Sequence, residues 1–130
     1  MKKMNTKKPS RKETAISFLL LASSGKVEEA FHLYIGAGFR HHNPFFPGNG
    51  EALMAAMKEN TAQFPDKVIE VRRALEDGDL VAVHSHVILK PGDPGAATIH
   101  IFRFEDDRIV ELWDVGQPVS KDSPNGNGMF

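Results

Sequence analysis

The chain has 130 residues, of which 41% are apolar and 25% are charged, as is typical of one soluble globular domain. Its 16 basic and 17 acidic residues give a net charge of -1, so neither a nucleic acid nor an anionic membrane is an expected partner. Cysteine is absent, which excludes disulfides, thiolate metal sites and a cysteine nucleophile. We therefore expect the partner to be a small molecule.

Residues 1–12 are basic and lack apolar periodicity, and they are predicted to form a disordered tail. The apolar run 15–22, followed by two serines and Gly25, is compatible with a secretory signal and its cleavage site. However, Glu13 interrupts the charge gradient of such a signal, and Ser10 stands three residues before it, at the spacing of a capping box. The apolar residues also follow the stripe of an amphipathic helix: Ala15, Phe18, Leu19 and Ala22. We interpret this segment as the first helix of a cytoplasmic protein, with Gly25 as its end.

Two more helices are predicted before residue 65. The helical stripe repeats from about 26 to 35 and ends at the sequence Gly36-Ala37-Gly38. A third helix is predicted from about 50 to 63, because apolar residues share one face and Pro65 follows.

After Pro65 the apolar period changes to two, which is the pattern of strands. Four strands are predicted, joined by turns rich in Gly, Asp and Pro: 67–76, 80–90, 97–105 and 109–117. Helices followed by a strand meander indicate an α+β domain with an antiparallel sheet. The domain is expected to span 13–118, and 119–130 to form a C-terminal tail.

The run from Leu80 to Leu89 is apolar on both faces. One face carries His84 and His86 among apolar residues, and Ser85 is the one polar residue of the other. Three short helices can cover only one face of a sheet, so the second face needs another cover. We therefore predict a homodimer that packs through the outer face of the sheet.

The sequence His41-His42-Asn43-Pro44, followed by Phe45 and Phe46, places two imidazoles where helix gives way to extended chain. Neighbouring residues of an extended segment point to opposite sides. We expect His41 to face solvent and His42 to face the mouth of a pocket.

These motifs resemble the SnoaL-like polyketide cyclases of the nuclear transport factor 2 superfamily. The resemblance covers about 12–118 and a family-like ending at 127–130, and it depends on Tyr34-Ile35 before the histidine motif and on the segments 82–87, 101–104 and 109–115. It implies a cone-shaped α+β barrel, also called cystatin-like, in which N-terminal helices pack on a strongly curved antiparallel sheet. It also implies cofactor-free chemistry on a largely apolar carbonyl compound.

Ring closure by aldol condensation requires a base that removes a proton next to a carbonyl, and a donor for the oxyanion that develops. Asp114 is the candidate base, since it stands beside Trp113 in an apolar strand and the resemblance places a catalytic aspartate there. The alternative is that Asp114 forms an ion pair with an arginine such as Arg103 on the neighbouring strand.

The candidate donors are imidazoles. His84 and His86 are two residues apart on a strand and share a face, so either could serve, and His42 is a further partner. His100 is expected near a sheet edge. Each ring could equally be a hydrogen-bonded structural histidine.

The pocket is expected to be lined by these aromatic and polar residues: Asn43, Phe45, Phe46, His100, Phe102 and Trp113. His84, His86 and Asp114 together match the ligands of a facial-triad metal site, but we assign no metal and no cofactor. The leading function is a lyase or isomerase of the cyclase type. A binding protein without chemistry is the alternative, and epoxide hydrolysis would need a second acid beside the base.

Overall fold

The computed structural model describes residues 7–130. The first helix, α1 (Arg11–Ser23), begins with the predicted capping box: the Ser10 hydroxyl accepts from the Glu13 amide at 3.0 Å, and the Glu13 carboxylate accepts from the Ser10 amide at 2.7 Å. Its apolar stripe is confirmed, because Ala15, Phe18, Leu19 and Ala22 are all buried. Of the predicted disordered tail, residues 1–6 lie outside the described residues, and Arg11 and Lys12 are already helical.

The second helix, α2 (Val27–Tyr34), is followed directly by a strand, β1 (Ile35–His41). The sequence did not predict β1, since its glycines resemble a helix end. The third helix, α3 (Gly50–Gln63), agrees with its predicted bounds, and the Asn49 side chain accepts from the Ala52 amide at 2.8 Å to cap it.

Four long strands complete the sheet: β2 (Val68–Asp77), β3 (Leu80–Ile88), β4 (Ala96–Glu105) and β5 (Arg108–Pro118). The strand order is β1-β5-β4-β3-β2. The meander β2 to β5 is antiparallel as predicted, whereas β1 runs parallel to β5. The α+β class is confirmed: three helices pack on a five-stranded sheet.

The two faces of the sheet differ in burial. The inner face contributes Val81, Val83 and Phe102 to the core, and all three are fully buried. Phe18 of α1 packs edge-on against Phe102, with ring centroids 6.1 Å apart. Because side chains alternate along a strand, the intervening residues of β3 lie on the outer face.

The outer face retains exposed apolar residues, among them Leu80, Ile101 and Val115. Part of it is covered by the C-terminal residue, because Phe130 stacks on His84 and His86 with centroid distances of 5.6 and 4.4 Å. The predicted homodimer through this face stays a prediction.

His41 does not face solvent, and that expectation was wrong. It is 5% exposed, because the pairing of β1 with β5 places it opposite Leu112 on the inner face. Its ring Nε2 donates to the Pro47 carbonyl at 2.7 Å, and its Nδ1 accepts from the Asn43 amide at 3.1 Å. His41 therefore fastens the loop that leads to α3.

The loop between β3 and β4 requires a glycine at position 95. Gly95 has a φ of +77°, and a Cβ there would lie 2.3 Å from the Val87 carbonyl oxygen.

No helix among residues 7–130 combines the length and apolar character needed to cross a membrane.

Candidate functional site

A cavity of about 240 Å³ lies between the helices and the inner face of the sheet. Its walls are mostly apolar and come from α1, α3, strand β5 and the segments that follow β1 and β3: Phe18, Leu19, Phe46, Leu53, Ala56, Met57, Leu89 and Leu112. Five polar side chains also line it: Asn43, Asn60, Lys67, His100 and Asp114. An apolar enclosure with a few converging polar groups is the usual form of a small-molecule site.

Asp114 on β5 and His100 on β4 are directly opposite each other in register, and Val83 on β3 continues the same row. Side chains of such a pair share one face and lie within about 5.5 Å at their Cβ atoms. Since Val83 is fully buried in the core, this row faces inward. The sheet therefore places a carboxylate beside an imidazole at the cavity wall.

Asn43 holds the carboxylate of Asp114. Its side-chain Nδ2 donates to both carboxylate oxygens, at 3.4 and 3.2 Å, across 71 residues of sequence. The Asn43 Oδ1 in turn accepts from the Phe45 amide at 2.9 Å, which orients the amide. The alternative pairing with Arg103 is excluded by the geometry, because Arg103 Nε donates to Glu111 at 2.8 Å on the outer face.

His100 is half-buried, and its buried Nδ1 has no hydrogen-bond partner among the described protein groups. Burial lowers the pKa of His100 to about 4, while the charge of Asp114 acts in the opposite direction and that of Lys67 in the same direction. The ring is therefore neutral at pH 7. A neutral imidazole has one N–H donor and one acceptor nitrogen, so it can hydrogen-bond a ligand in either sense.

His100 is thus not at a sheet edge, and the expectation that it would be was wrong. It occupies a central strand, between β3 and β5. Its register with Asp114 is the signal that sequence reasoning missed: pairing β4 with β5 around the turn at residues 106–107 brings these two residues together.

His84 and His86 share a face, as predicted, but it is the outer face. His86 Nε2 donates to the Pro94 carbonyl at 2.7 Å, its Nδ1 lies 3.7 Å from Glu70 Oε1, and His84 contacts Arg73. Both rings are separated from Asp114 by the sheet itself. The structure therefore does not bring them together with the candidate base.

His42 also projects outward, where it stacks on Trp113 with ring centroids 4.9 Å apart and contacts Glu111 at 2.7 Å. Arg40 and Arg103 bind the same Glu111. Hydrogen bonds from Arg40, His42 and Arg103 lower the pKa of Glu111 to about 2. This cluster is an ion-pair network on the outer face.

A second, open groove of about 550 Å³ reaches Asp114 and His100 from outside. His42, Asn43 and Phe45 line it. Asp114 and His100 also line the cavity, so the two side chains are shared by the cavity and the groove. The groove is a path by which a ligand can approach the pair.

The predicted lining residues divide between these two spaces. Asn43, Phe46 and His100 line the cavity, and Phe45, which is 82% exposed, lines only the groove. Phe102 is a fully buried core residue, and Trp113 faces outward against His42. Neither of these last two lines the cavity or the groove.

Lys67, like Asn60, is a polar cavity residue that sequence reasoning missed. It precedes β2, and no periodicity or motif distinguishes it from surface lysines. Its Nζ donates to Asn60 Oδ1 at 2.8 Å, and burial lowers its pKa.

The donors for a metal do not come together as the facial-triad alternative requires. His84 and His86 lie on the face opposite Asp114, and within residues 7–130 no three side chains of His, Cys, Asp or Glu are grouped to hold an ion.

A family model described as a SnoaL-like domain matches residues 20–112. Among solved structures, IdmH of Streptomyces antibioticus, proposed to be a polyketide cyclase, is 23% identical with a TM-score of 0.65, covering 84% of this chain and 93% of that one. A proposed isomerase of the SnoaL-like family from Agrobacterium tumefaciens is 16% identical with a TM-score of 0.68, covering 82% and 97%. An uncharacterised cystatin-fold protein from Novosphingobium aromaticivorans is 18% identical with a TM-score of 0.68, covering 83% and 99%. These likenesses show the fold. No curated protein matches the chain.

Proposed function

The chain belongs to the SnoaL-like domain family, and from that premise we propose that it is a small-molecule enzyme that removes a proton next to a carbonyl group. The ligand is a largely apolar carbonyl compound that enters by the groove and occupies the cavity. The observation that supports this most is the pairing of Asp114 with His100 at the junction of the two spaces. Two structural relatives, described as a proposed polyketide cyclase and a proposed isomerase, are consistent with chemistry of this kind.

In the proposed step the Asp114 carboxylate accepts the α proton, the electron pair of the C–H bond forms a C=C bond, and the π pair of the carbonyl moves onto its oxygen to give an enolate. His100 donates a hydrogen bond to that oxygen. In a cyclisation the enolate carbon then forms a C–C bond to a second carbonyl of the ligand. In an isomerisation the enolate takes up a proton at another carbon. Asp114 returns its proton to the product, so no external acid, base or redox partner is consumed.

The donor in this proposal is His100 and not His84 or His86. A general acid or oxyanion donor must come within hydrogen-bond distance of the reacting atom. His84 and His86 line neither the cavity nor the groove, whereas His100 lines both spaces with Asp114.

The second candidate is ligand binding without chemistry. It is favoured by the position of the Asn43 amide, which occupies lone pairs on both oxygens of Asp114 and would suit a carboxylate that only needs to be held still. Epoxide hydrolysis has less support, because Asp114 is the one carboxylate among the described residues that line the cavity.

Exchange of α protons for deuterium separates these functions without knowledge of the natural substrate. We would incubate the protein with 1-indanone, a flat apolar ketone, in deuterated buffer and follow loss of the α-proton signal by NMR. Exchange above the buffer rate is expected, and Asp114→Asn should slow it by about 100-fold or more, as for loss of a general base.

The matched control is Asp122→Asn, an exposed residue of the tail, which should exchange like the wild type. Thermal unfolding of each variant shows whether it is folded. Wild-type protein that binds the ketone but leaves its α protons in place would favour the binding function, and an Asp114→Asn variant that exchanges at the wild-type rate would refute the role of Asp114.

A further inference from the structure

Lys67 introduces a positive charge into a cavity whose other walls are mostly apolar. Its backbone is held in place by the turn after α3, where the Lys67 amide donates to the Phe64 carbonyl at 3.1 Å. The Lys67 side chain lines the cavity together with Asn60 of α3. Its Nζ donates a hydrogen bond to Asn60 Oδ1.

The ammonium group of Lys67 has no carboxylate partner in the ion pairs of residues 7–130, whereas two exposed lysines do. Lys8 binds Asp107 at 2.9 Å and Lys58 binds Glu28 at 2.5 Å, both at the surface. Taking a charge out of water is costly unless an opposite charge or several hydrogen bonds replace the water. Asn60 supplies one neutral acceptor, and an ammonium group has three donors.

The charged and titratable groups that share the cavity do not complete the pairing. His100 on β4 is neutral at pH 7, and Asp114 on β5 is engaged by Asn43. Burial lowers the pKa of Lys67, and no nearby anion opposes that shift. The cavity therefore has a carboxylate base and, separately, a cation that lacks a counter-charge.

We propose that Lys67 and Asn60 form the binding site for an acidic group of the ligand, so that the ligand is a small apolar acid carrying a carboxylate or an acidic enol. This inference deepens the proposed function, and it rests on that function only in placing the acid in the same cavity. The acidic group binds Lys67, the apolar body lies against α1 and α3, and the reacting carbon is left for Asp114.

The test compares two ligands of the same size and shape that differ in charge. Binding of 3-phenylpropanoate and of 3-phenylpropanamide is measured by calorimetry at pH 7. The carboxylate should bind about 10- to 100-fold more tightly, the range for a hydrogen bond to a charged group. Lys67→Met should reduce this preference to about twofold or less, and Lys67→Arg, which keeps the charge, should retain part of it.

Lys58→Met provides the matched control, since it removes an exposed lysine of the same helix region that is already paired with Glu28. It should leave the preference unchanged. The wild-type protein gives a second readout that needs no variant: the pKa of Lys67, followed by NMR of its side-chain carbon, should rise when the carboxylate binds and stay constant with the amide.

Equal affinity for the two ligands in wild-type protein would overturn the inference, and so would failure of the carboxylate to bind at about 10 mM or a preference that survives Lys67→Met. The result is independent of catalysis. Asp114→Asn should keep the preference for the carboxylate, so loss of α-proton exchange in that variant would not affect the assignment of Lys67.

Discussion

The imidazole of His100 predicts a specific loss of stability in mild acid. Its pKa is about 4 in the folded chain, against 6.5 for an ordinary histidine. Between these two values the unfolded chain takes up a proton that the folded chain does not, so the free energy of unfolding falls as the pH falls. The contribution is fully present above pH 6.5 and is lost by about pH 4. At about 1.4 kcal/mol for each pKa unit, the full loss amounts to about 3.5 kcal/mol, of which about 2 to 3 kcal/mol falls between pH 6.5 and pH 4.

The perturbation is His100→Gln, which removes the titrating ring and keeps a polar side chain of similar reach. The variant should be less stable than the wild type at pH 7, because the packing of a half-buried ring is lost. The free energy of unfolding of the variant should then fall less steeply than that of the wild type between pH 6.5 and 4. The difference in free energy of unfolding between the two proteins should therefore narrow by about 2 to 3 kcal/mol over this range.

Urea unfolding at a series of pH values measures this difference. The chain has one tryptophan, Trp113, whose fluorescence reports on β5. His32→Gln, at an exposed position of α2, provides the matched control and should run parallel to the wild type. Parallel curves for the wild type and His100→Gln would refute the reasoning, because they would mean that burial does not suppress protonation of this ring.

Three further predictions concern the rest of the fold. Gly95→Ala should lower the free energy of unfolding, measured in urea, by about 2 kcal/mol or more. Gly92 has a φ of +88° but open space around it, so Gly92→Ala should lower it by only about 1 kcal/mol. Equal losses for the two variants would contradict the steric argument. Glu111→Gln should lower the free energy of unfolding by about 1 to 2 kcal/mol at pH 7. It should also remove the loss of stability that the wild type shows as the pH falls from 4.5 towards 2. Glu105→Gln, at the exposed end of the same strand pair, is the control and should change stability little. Sedimentation at micromolar concentration should show a dimer that Val115→Glu converts to monomer, and a monomeric wild type would reject the outer-face interface.

Local signals predicted most of the secondary structure. The capping box at Ser10, the stop before Pro65 and the turn residues between strands act over a few positions, and the bounds of α1, α3 and the meander follow from them. Strand β1 escaped prediction because its pairing partner, β5, is about 70 residues away and its own glycines indicate a break.

The candidate site could be predicted only in part. Asp114 stood out as a carboxylate in an apolar strand, and Asn43 and Phe46 were expected near it. His84 and His86 were expected beside Asp114 but lie on the opposite face of the sheet, because a period of two shows that they share a face but not which face the helices cover. Lys67 carried no local signal at all.

The sequence by itself determined the fold class, the element order and the isolation of Asp114 among apolar residues, since propensity, capping and alternation are properties of neighbouring residues. Only the tertiary structure decided which side of the sheet is the inside. The helices cover the face that carries Val83 and Phe102, and cross-strand register then carries His100 and Asp114 inward together. Burial against the helices is a long-range contact, so the environment that keeps His100 neutral and leaves Lys67 without a counter-charge exists only in the folded chain.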